Sequence, residues 1–451
     1  MRLTSVAQMT LPTGRVRSLA LRCGDLGRRL PISFDQRRHV GSGDRPGSWM
    51  GLSAELPAGL DGVPAASSDE LADAVAEAWL AVVRRHPTLT TVFGREDGAL
   101  RLHETTIEGH AWVDHGHVEQ AAAGRQLVRA IFDEACRPFE RPSHRLVLIE
   151  PDDASARPVV VIGSDHAHVD MWSLLVVLRD LLAALTEGPG ALPPRAADFA
   201  DHTAALEALP PAPASVRHRW WRLLHACGDV MPRFPLPLGD MSAPVSERLV
   251  VRDVLDAEQA EALAAYARSH GARPATVAVS VMTQVTRDLA GAPLRAVFPV
   301  HSRHDAGWHD AVGWFITNAV LDSDDPDLTA CGRALAEALV LGSWPLADVL
   351  APFGDMPVAP GMFALSWLDL RRLPVKVDTL AARAQFVGAV IETDGVMAWF
   401  VLTDAGLHLR CRYPGTPEAE ASVGRWLDGV IAGLQAVAAQ ARDGASADAL
   451  L

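Results

Sequence analysis

An α/β (α+β) fold in two lobes is what this sequence predicts, on three observations. Short apolar runs such as "RPVVVIG" (157–163) read as strands, being too brief for helices and rich in β-branched residues. Longer segments between them carry apolar residues at helical spacing or are apolar nearly all round. A proline-rich stretch, "MPRFPLPLGDMSAP" (231–244), parts the chain so that each half holds both kinds of segment. The expected division is a first lobe over 1–230, a crossing over 231–246 and a second lobe over 247–451. Two α/β layers of similar size facing one another across a cleft is the arrangement such halves suggest.

In order along the first half, "GRVRSLALRC" (14–23) and "WMGLSAEL" (49–56) read as strands. Ser67 with Glu70 has the spacing of a capping box, opening a helix whose Leu71, Val75, Ala78 and Val82 share one face. "HRLVLIE" (144–150) and "RPVVVIG" are short buried strands, and "MWSLLVVLRDLLAAL" (171–185) is a helix apolar enough all round to lie inside. A second proline-rich break covers 187–199, and "GSGDRPG" (41–47) reads as a flexible turn. In the second half "ERLVVRDVL" (247–255) is a strand, and 257–271 a helix with Gly271 at its C-terminal end. "PATVAVSVMTQVTRDLAG" (274–291) is a buried helix. "LRAVFPV" (294–300), "GWFITNAVL" (313–321), "GMFALSWLDL" (361–370), "QFVGAVIETDG" (385–395) and "VMAWFVLTD" (396–404) are strands, and 416–441 is a closing amphipathic helix.

Composition removes several functions. With 49% hydrophobic residues in 451, a sizeable core is available. The formal charge of −14 argues against a general nucleic-acid binder, which needs a basic face. Lys376 is the sole lysine, so arginine supplies the positive charge; with the Ala, Gly and Pro content this reads as coding bias of a GC-rich, actinobacterial genome. The five cysteines, Cys23, Cys136, Cys227, Cys331 and Cys411, form no C-x-x-C pair and read as reduced thiols of a cytoplasmic protein. No signal peptide and no membrane span are expected, and no phosphate-binding G-x-x-x-x-G-K-[ST] loop or G-x-S-x-G elbow occurs.

The chemistry concentrates in "SDHAHVDMWS" (164–173), where a strand hands over to a helix. Three readings apply. In the first, His166 is an acyl-transfer base that takes or holds the proton of an attacking hydroxyl or amine. Asp170 then organises the loop by pairing with an arginine, and the helix N-terminus at 171–174 offers donors to the oxyanion. In the second, His166, His168 and Asp170 form an H-x-H-x-D string of the kind zinc hydrolases use, although Met171 stands where those have a further histidine and is a poor ligand for such an ion. In the third, Asp165 caps the turn, His168 is a satisfied interior histidine and Asp170 is a structural ion pair.

The same string resembles the H-H-x-x-x-D-G motif of the condensation-domain superfamily, which includes nonribosomal peptide condensation domains, polyketide-associated (Pap-type) acyltransferases and relatives of chloramphenicol acetyltransferase. The second motif histidine falls on His166 and the aspartate on Asp170, while Asp165 replaces the first histidine and Met171 the glycine. Further segments agree in order. "RRHPTLTTVF" (84–93) is similar to the family's R-H-x-x-L-R-T-x-F, matching at Arg85, His86, Leu89, Thr91 and Phe93. "PISFDQRRHV" (31–40) resembles the early segment lining the acceptor side, and "VGWFITN" (312–318) resembles a G-x-F-V-N-T strand with its last polar pair exchanged, Thr317 and Asn318. "ALSWLDLRRLP" (364–374) resembles a strand of the Pap-type enzymes.

The resemblance implies two chloramphenicol-acetyltransferase-like lobes in a V, with an active-site tunnel between them. It implies a catalytic His166 and a loop-organising Asp170, supported by Asp165 and by an arginine against Asp170: Arg303 is the candidate and Arg85 its rival. Met171, Trp172, Ser173, Trp314, Thr317 and Asn318 are the expected pocket. Phe315 is expected in the core, and Trp314 and Trp367 in core or cleft wall. The implied activity is acyl transfer from a thioester to a hydroxyl or amine of a small molecule, in natural-product or lipid biosynthesis. The donor is acyl-CoA or a phosphopantetheinyl carrier protein, with no bound cofactor, no metal and a monomeric enzyme. A non-catalytic binding module of the same fold is the alternative beside the zinc hydrolase.

Overall fold

The computed structural model describes residues 2–57 and 68–448, with side chains to 443. Ser67, the expected capping residue, lies outside the described residues; the helix it was to open runs Ser68–Arg85. The chain forms two compact units that interleave along the sequence. The first comprises 1–209, 303–315 and 374–390; the second comprises 210–302, 316–373 and 391–451. The division read from the proline-rich crossing follows chain order, whereas the contacts send two later segments back into the first unit. The α/β class holds for each unit.

The first unit is built on a seven-stranded mixed sheet. Its strands run in the order Arg2–Ser5, Gln385–Gly388, Trp49–Glu55, Val159–Asp165, His144–Pro151, Gly14–Cys23 and Ile107–Val118. Val159–Asp165 is the central strand, buried at every residue, which is why it carries no polar alternation. The helix Met171–Glu187 follows it directly, with Trp172 through Leu178 buried, as its all-round apolarity requires. It packs against Ser68–Arg85. A smaller antiparallel sheet joins Arg29–Leu30, Ala99–Glu104 and Thr91–Glu96.

The second unit has its own seven-stranded sheet, in the order Ile316–Ser323, Leu294–His301, Phe363–Asp369, Val396–Thr403, Gly406–Pro414, Val245–Leu255 and Glu392–Thr393. One face, with Phe363, Leu365, Phe400, Leu402, Leu407 and Leu409, is fully buried. The helices Ala257–Ser269, Pro274–Ala290 and Pro417–Asp448 pack together in this unit.

Two expected strands are divided. "GWFITNAVL" pairs only from Ile316; its first residues, 313–315, belong to the first unit. "QFVGAVIETDG" is two strands, Gln385–Gly388 in one sheet and Glu392–Thr393 in the other. A continuous apolar run does not say where its hydrogen-bond partners change. The helix ending near Gly271 is capped by His270, with Gly271 following at φ 63°. The helix Pro274–Ala290 buries one face rather than its whole circumference. Among the described residues no helix is long and apolar enough to cross a membrane. The five cysteines are free thiols; Cys136, Cys331 and Cys411 are buried, while Cys23 and Cys227 are half-buried.

Candidate active site

Asp170 is the anchor of the loop. It caps the helix Met171–Glu187, its Oδ1 accepting from Ser173 N at 2.7 Å and from Ser173 Oγ at 2.8 Å. Arg303 grips the same carboxylate in two places, Nη1 to Oδ2 at 2.6 Å and Nη2 to Oδ1 at 3.1 Å. Phe315 N donates to Oδ2 at 3.0 Å. Both partners are buried, with side-chain exposures of 0% for Arg303 and 1% for Asp170. A pair so far from water holds only when each lone pair and proton is engaged, and here nearly all are. Arg303 also reaches Ser173 Oγ at 2.8 Å and Ala311 O at 3.2 Å, and its guanidinium lies 4.0 Å from the Phe315 ring centroid and 5.0 Å from that of Trp172. Burial works against the Asp170 charge, but Arg303 and Ser173 outweigh it and hold the carboxyl below its usual range.

Ser173 ties the returning segment 303–315 to this helix. Its Oγ meets Gly313 O at 2.9 Å and accepts from Gly313 N at 3.1 Å. Gly313 has to be glycine, because a Cβ there would lie 2.4 Å from Phe199 Cγ. Phe315 is 1% exposed in a cluster with Phe199 and Ala311, the core position expected of it. Trp172 donates Nε1–H to His309 O at 3.0 Å and is mostly buried, a packing residue that also fixes this segment.

Upstream, Asp165 caps the turn, accepting from Ala167 N at 2.9 Å. It also receives the imidazole of His39, whose Nε2 lies 3.1 Å from both carboxylate oxygens. Arg45 Nη2 lies 2.9 Å from His39 Nδ1, and the other ring nitrogen, Nε2, turns its N–H toward Asp165. Asp165, where the superfamily motif has histidine, therefore recruits a histidine from the helix Phe34–Gly41. That helix also clamps the loop through Gln36 Nε2 to Ala167 O at 2.8 Å. Burial opposes the Asp165 charge, yet its bonds to His39 and Ser48 leave the carboxyl below its usual range.

Between these two fixed points lies His166, half-buried. Its ring stacks on Trp314, centroids 4.1 Å apart and planes 28° apart, with His39 edge-on to the same indole at 5.2 Å. Nδ1 is buried, which leaves Nε2 as the nitrogen available to a partner. Burial, and next the neighbouring His39, hold the imidazole below the usual histidine range; its own carbonyl and the charges of Asp165 and Asp170 oppose this more weakly. The ring is neutral at pH 7 and able to accept a proton.

The remaining expected residues divide. Met171, half-buried, begins the helix beside Asp170. Arg85 is not Asp170's partner: with His86 it is bound to Asp180, His86 Nε2 lying 2.8 Å from Asp180 Oδ2. Thr317 and Asn318 sit in the second unit, on Ile316–Ser323 opposite Val300 and Pro299. Trp367, also in the second unit, stacks on Phe400 at 6.1 Å. His168 is buried edge-on against Phe93 at 5.3 Å. The H-x-H-x-D string is not gathered around one point: the Asp170 carboxylate is filled by protein donors, and the His168 ring lies edge-on to Phe93. Among the described residues no group of three or more His, Cys, Asp or Glu side chains is placed to hold a metal. The helix N-terminus is also less open than expected, because Ser173 N and Leu174 N are already engaged by Asp170. His39, Gln36 and Arg45 were missed as individuals; the segment "PISFDQRRHV" (31–40) covers the first two without singling them out, and Arg45 lies in "GSGDRPG", which read only as a flexible turn.

This is the fold of the condensation-domain superfamily, Pap-type acyltransferases included. The solved structure of PapA2 acyl transferase superposes with a TM-score of 0.81 at 20% identity, over 97% of this chain and 100% of that one. The first condensation domain of the calcium-dependent antibiotic synthetase, in complex with a substrate analogue, gives a TM-score of 0.68 at 17% identity, over 92% and 97%. In sequence, the chain is 23% identical over 419 residues to acyltransferase PapA3 of Mycobacterium tuberculosis (strain ATCC 25618 / H37Rv), covering 88% of this chain and 87% of that protein. No family model matches the chain.

Proposed function

We propose that this chain is an acyltransferase that moves an acyl group from a thioester to a hydroxyl or amine of a small molecule. The observation that carries the reading is His166: a neutral imidazole with Nδ1 buried, one face covered by Trp314, and its loop fixed at Asp165 and Asp170. Such a ring accepts a proton at Nε2 with its orientation already set. The acceptor's oxygen or nitrogen attacks the thioester carbonyl carbon as its proton passes to His166. The tetrahedral intermediate collapses with cleavage of the C–S bond, and the leaving thiolate takes the proton back from the imidazolium. No covalent enzyme intermediate is needed. Asp170 and Arg303 hold the loop and do not themselves touch the reacting atoms in this scheme.

The sequence similarity to PapA3 and the PapA2 fold support acyl transfer, and the condensation-domain likeness extends the candidate donors from acyl-CoA to a phosphopantetheinyl carrier protein. A place in natural-product biosynthesis suits the similarity to a probable non-canonical nonribosomal peptide synthetase of Salinispora arenicola. The test is incubation with a panel of acyl thioesters, on coenzyme A and on carrier protein, with hydroxyl and amine acceptors, products being read by mass spectrometry. His166→Ala is expected to lower turnover about a hundredfold or more. A folded His166→Ala protein that turns over as the parent does overturns the role given to His166, and a parent that forms no product from any pair in the panel makes the chain a binding module instead.

A further inference from the structure

The second unit contains a charge that the acyl-transfer site does not use. On the strand Gly406–Pro414, residues Leu407, Leu409, Cys411 and Tyr413 face the core, so Arg410 and Arg412 face the other way. Across the ladder Arg410 stands opposite Trp399 on one side and Val251 on the other. Both guanidinium groups lie over the Trp399 indole, at 4.9 Å for Arg410 and 5.9 Å for Arg412. Glu247 is buried with them and pairs with Arg412. Arg410 is 8% exposed, and among the described residues its Nε and Nη2 are buried without a hydrogen-bond partner.

Those two atoms form the side edge of the guanidinium, with parallel N–H bonds that fit two oxygens of one oxyanion. A buried charge left without a partner is strongly unfavourable. Burial, and next the adjacent Arg412, push the Arg410 pKa down to about 9, against the opposing pull of Glu247 and Cys411. Glu247 answers Arg412 and leaves the cluster one positive charge in excess. Around it Met397, Trp399, Leu249 and Val251 remain partly exposed, so this face of the sheet is reachable.

We propose that Arg410, Arg412 and Trp399 form a binding site for a phosphate-class oxyanion. Two guanidinium groups at 4.9 and 5.9 Å from one ring centroid are best served together by oxygens spread in three dimensions. A tetrahedral phosphate has them, while a planar carboxylate fills only one fork. The indole and Met397 offer apolar surface to whatever the phosphate is attached to. This site stands independently of the acyl-transfer reading.

Calorimetric titration of the full chain with inorganic phosphate, coenzyme A and pantetheine tests it. Phosphate or coenzyme A is expected to bind saturably, and Arg410→Met to weaken that binding at least tenfold. Pantetheine, which lacks phosphate, is expected to show no dependence on Arg410. Coenzyme A binding more tightly than phosphate identifies a phosphate carried on an organic arm; phosphate alone binding identifies the free anion; either supports the site. In phosphate-free buffer the Arg410→Met protein should melt no lower than the parent, because an uncompensated charge has been replaced by a hydrophobe, while losing any phosphate-induced rise in melting temperature. Should Arg410→Met not fold, Arg410→Lys keeps the charge without the fork and is expected to lose several-fold in affinity. No binding of either phosphate ligand by the parent, or affinities unchanged in these variants, overturns the proposal.

Discussion

At the scale of single residues, the most instructive position is Asp165. The motif departs from its superfamily pattern there, and the sequence shows only the departure. The structure shows the answer to it: His39 supplies an imidazole, Arg45 lies against its Nδ1, and Asp165 itself caps the turn. Because His39 also depresses the His166 pKa, the two histidines are coupled. His39→Gln keeps an N–H for Asp165 and removes the titratable ring. The His166 titration midpoint, followed by proton NMR of its ring protons, should then rise toward the ordinary value of about 6.5. A midpoint that stays or falls contradicts the coupling. The pairing of Asp170 with Arg303 was anticipated from the sequence, and the strand–turn–helix junction that carries His166 was legible because an apolar strand run meets an apolar helix run there. Trp314 stacking on His166 was not, since an aromatic in an apparent strand gives no sign of which ring it meets.

At the scale of elements, the segment 303–315 does the most to shape the site. It brings Arg303 to Asp170, Gly313 to Ser173 and Trp314 to His166. Removing one member of the buried pair leaves the other uncompensated. Asp170→Asn or Arg303→Met is each expected to lower unfolding free energy by about 3–5 kcal/mol in urea titrations. The double variant should lose clearly less than the sum of the two, the mark of a direct interaction. The sign of the pH dependence follows from the lowered Asp170 pKa. The pair's contribution is complete above the unfolded carboxylate range near 4 and disappears as pH falls through the folded value. Sequence patterning located most strands and helices around this site, yet it ran 313–321 together as one strand. Apolar continuity across Phe315 and Ile316 conceals the point where the chain passes from one unit to the other.

At the scale of the whole molecule, acid sensitivity has a further source in His144. It opens the strand His144–Pro151, is 3% exposed, places Nε2 2.9 Å from Leu89 O, and packs edge-on to Trp79 at 5.5 Å. Burial takes its pKa down to about 3. Folding therefore favours the neutral ring, and stability present above about pH 6.5 declines as pH falls toward 3. At pH 5 the loss from this one residue is roughly 2 kcal/mol. Urea unfolding at pH 7 and pH 5 should show a smaller difference for His144→Gln than for the parent. The α/β class of both units was legible because short β-branched apolar runs alternate with longer segments apolar at helical spacing or nearly all round. The interleaving was not, because it depends on pairings such as Arg2 with Gln385, which no local pattern encodes.

That pairing has a consequence for synthesis. The strand Gln385–Gly388 lies between Arg2–Ser5 and Trp49–Glu55, joining the earliest strand of the chain to the rest of its sheet. A nascent polypeptide extending only to the proline-rich crossing lacks that bridging strand and lacks Arg303, so Asp170 has no countercharge. The amino-terminal layer thus cannot finish assembling on the ribosome until Gln385–Gly388 has been translated. A genetically split version cut at the crossing should need both pieces present together to fold.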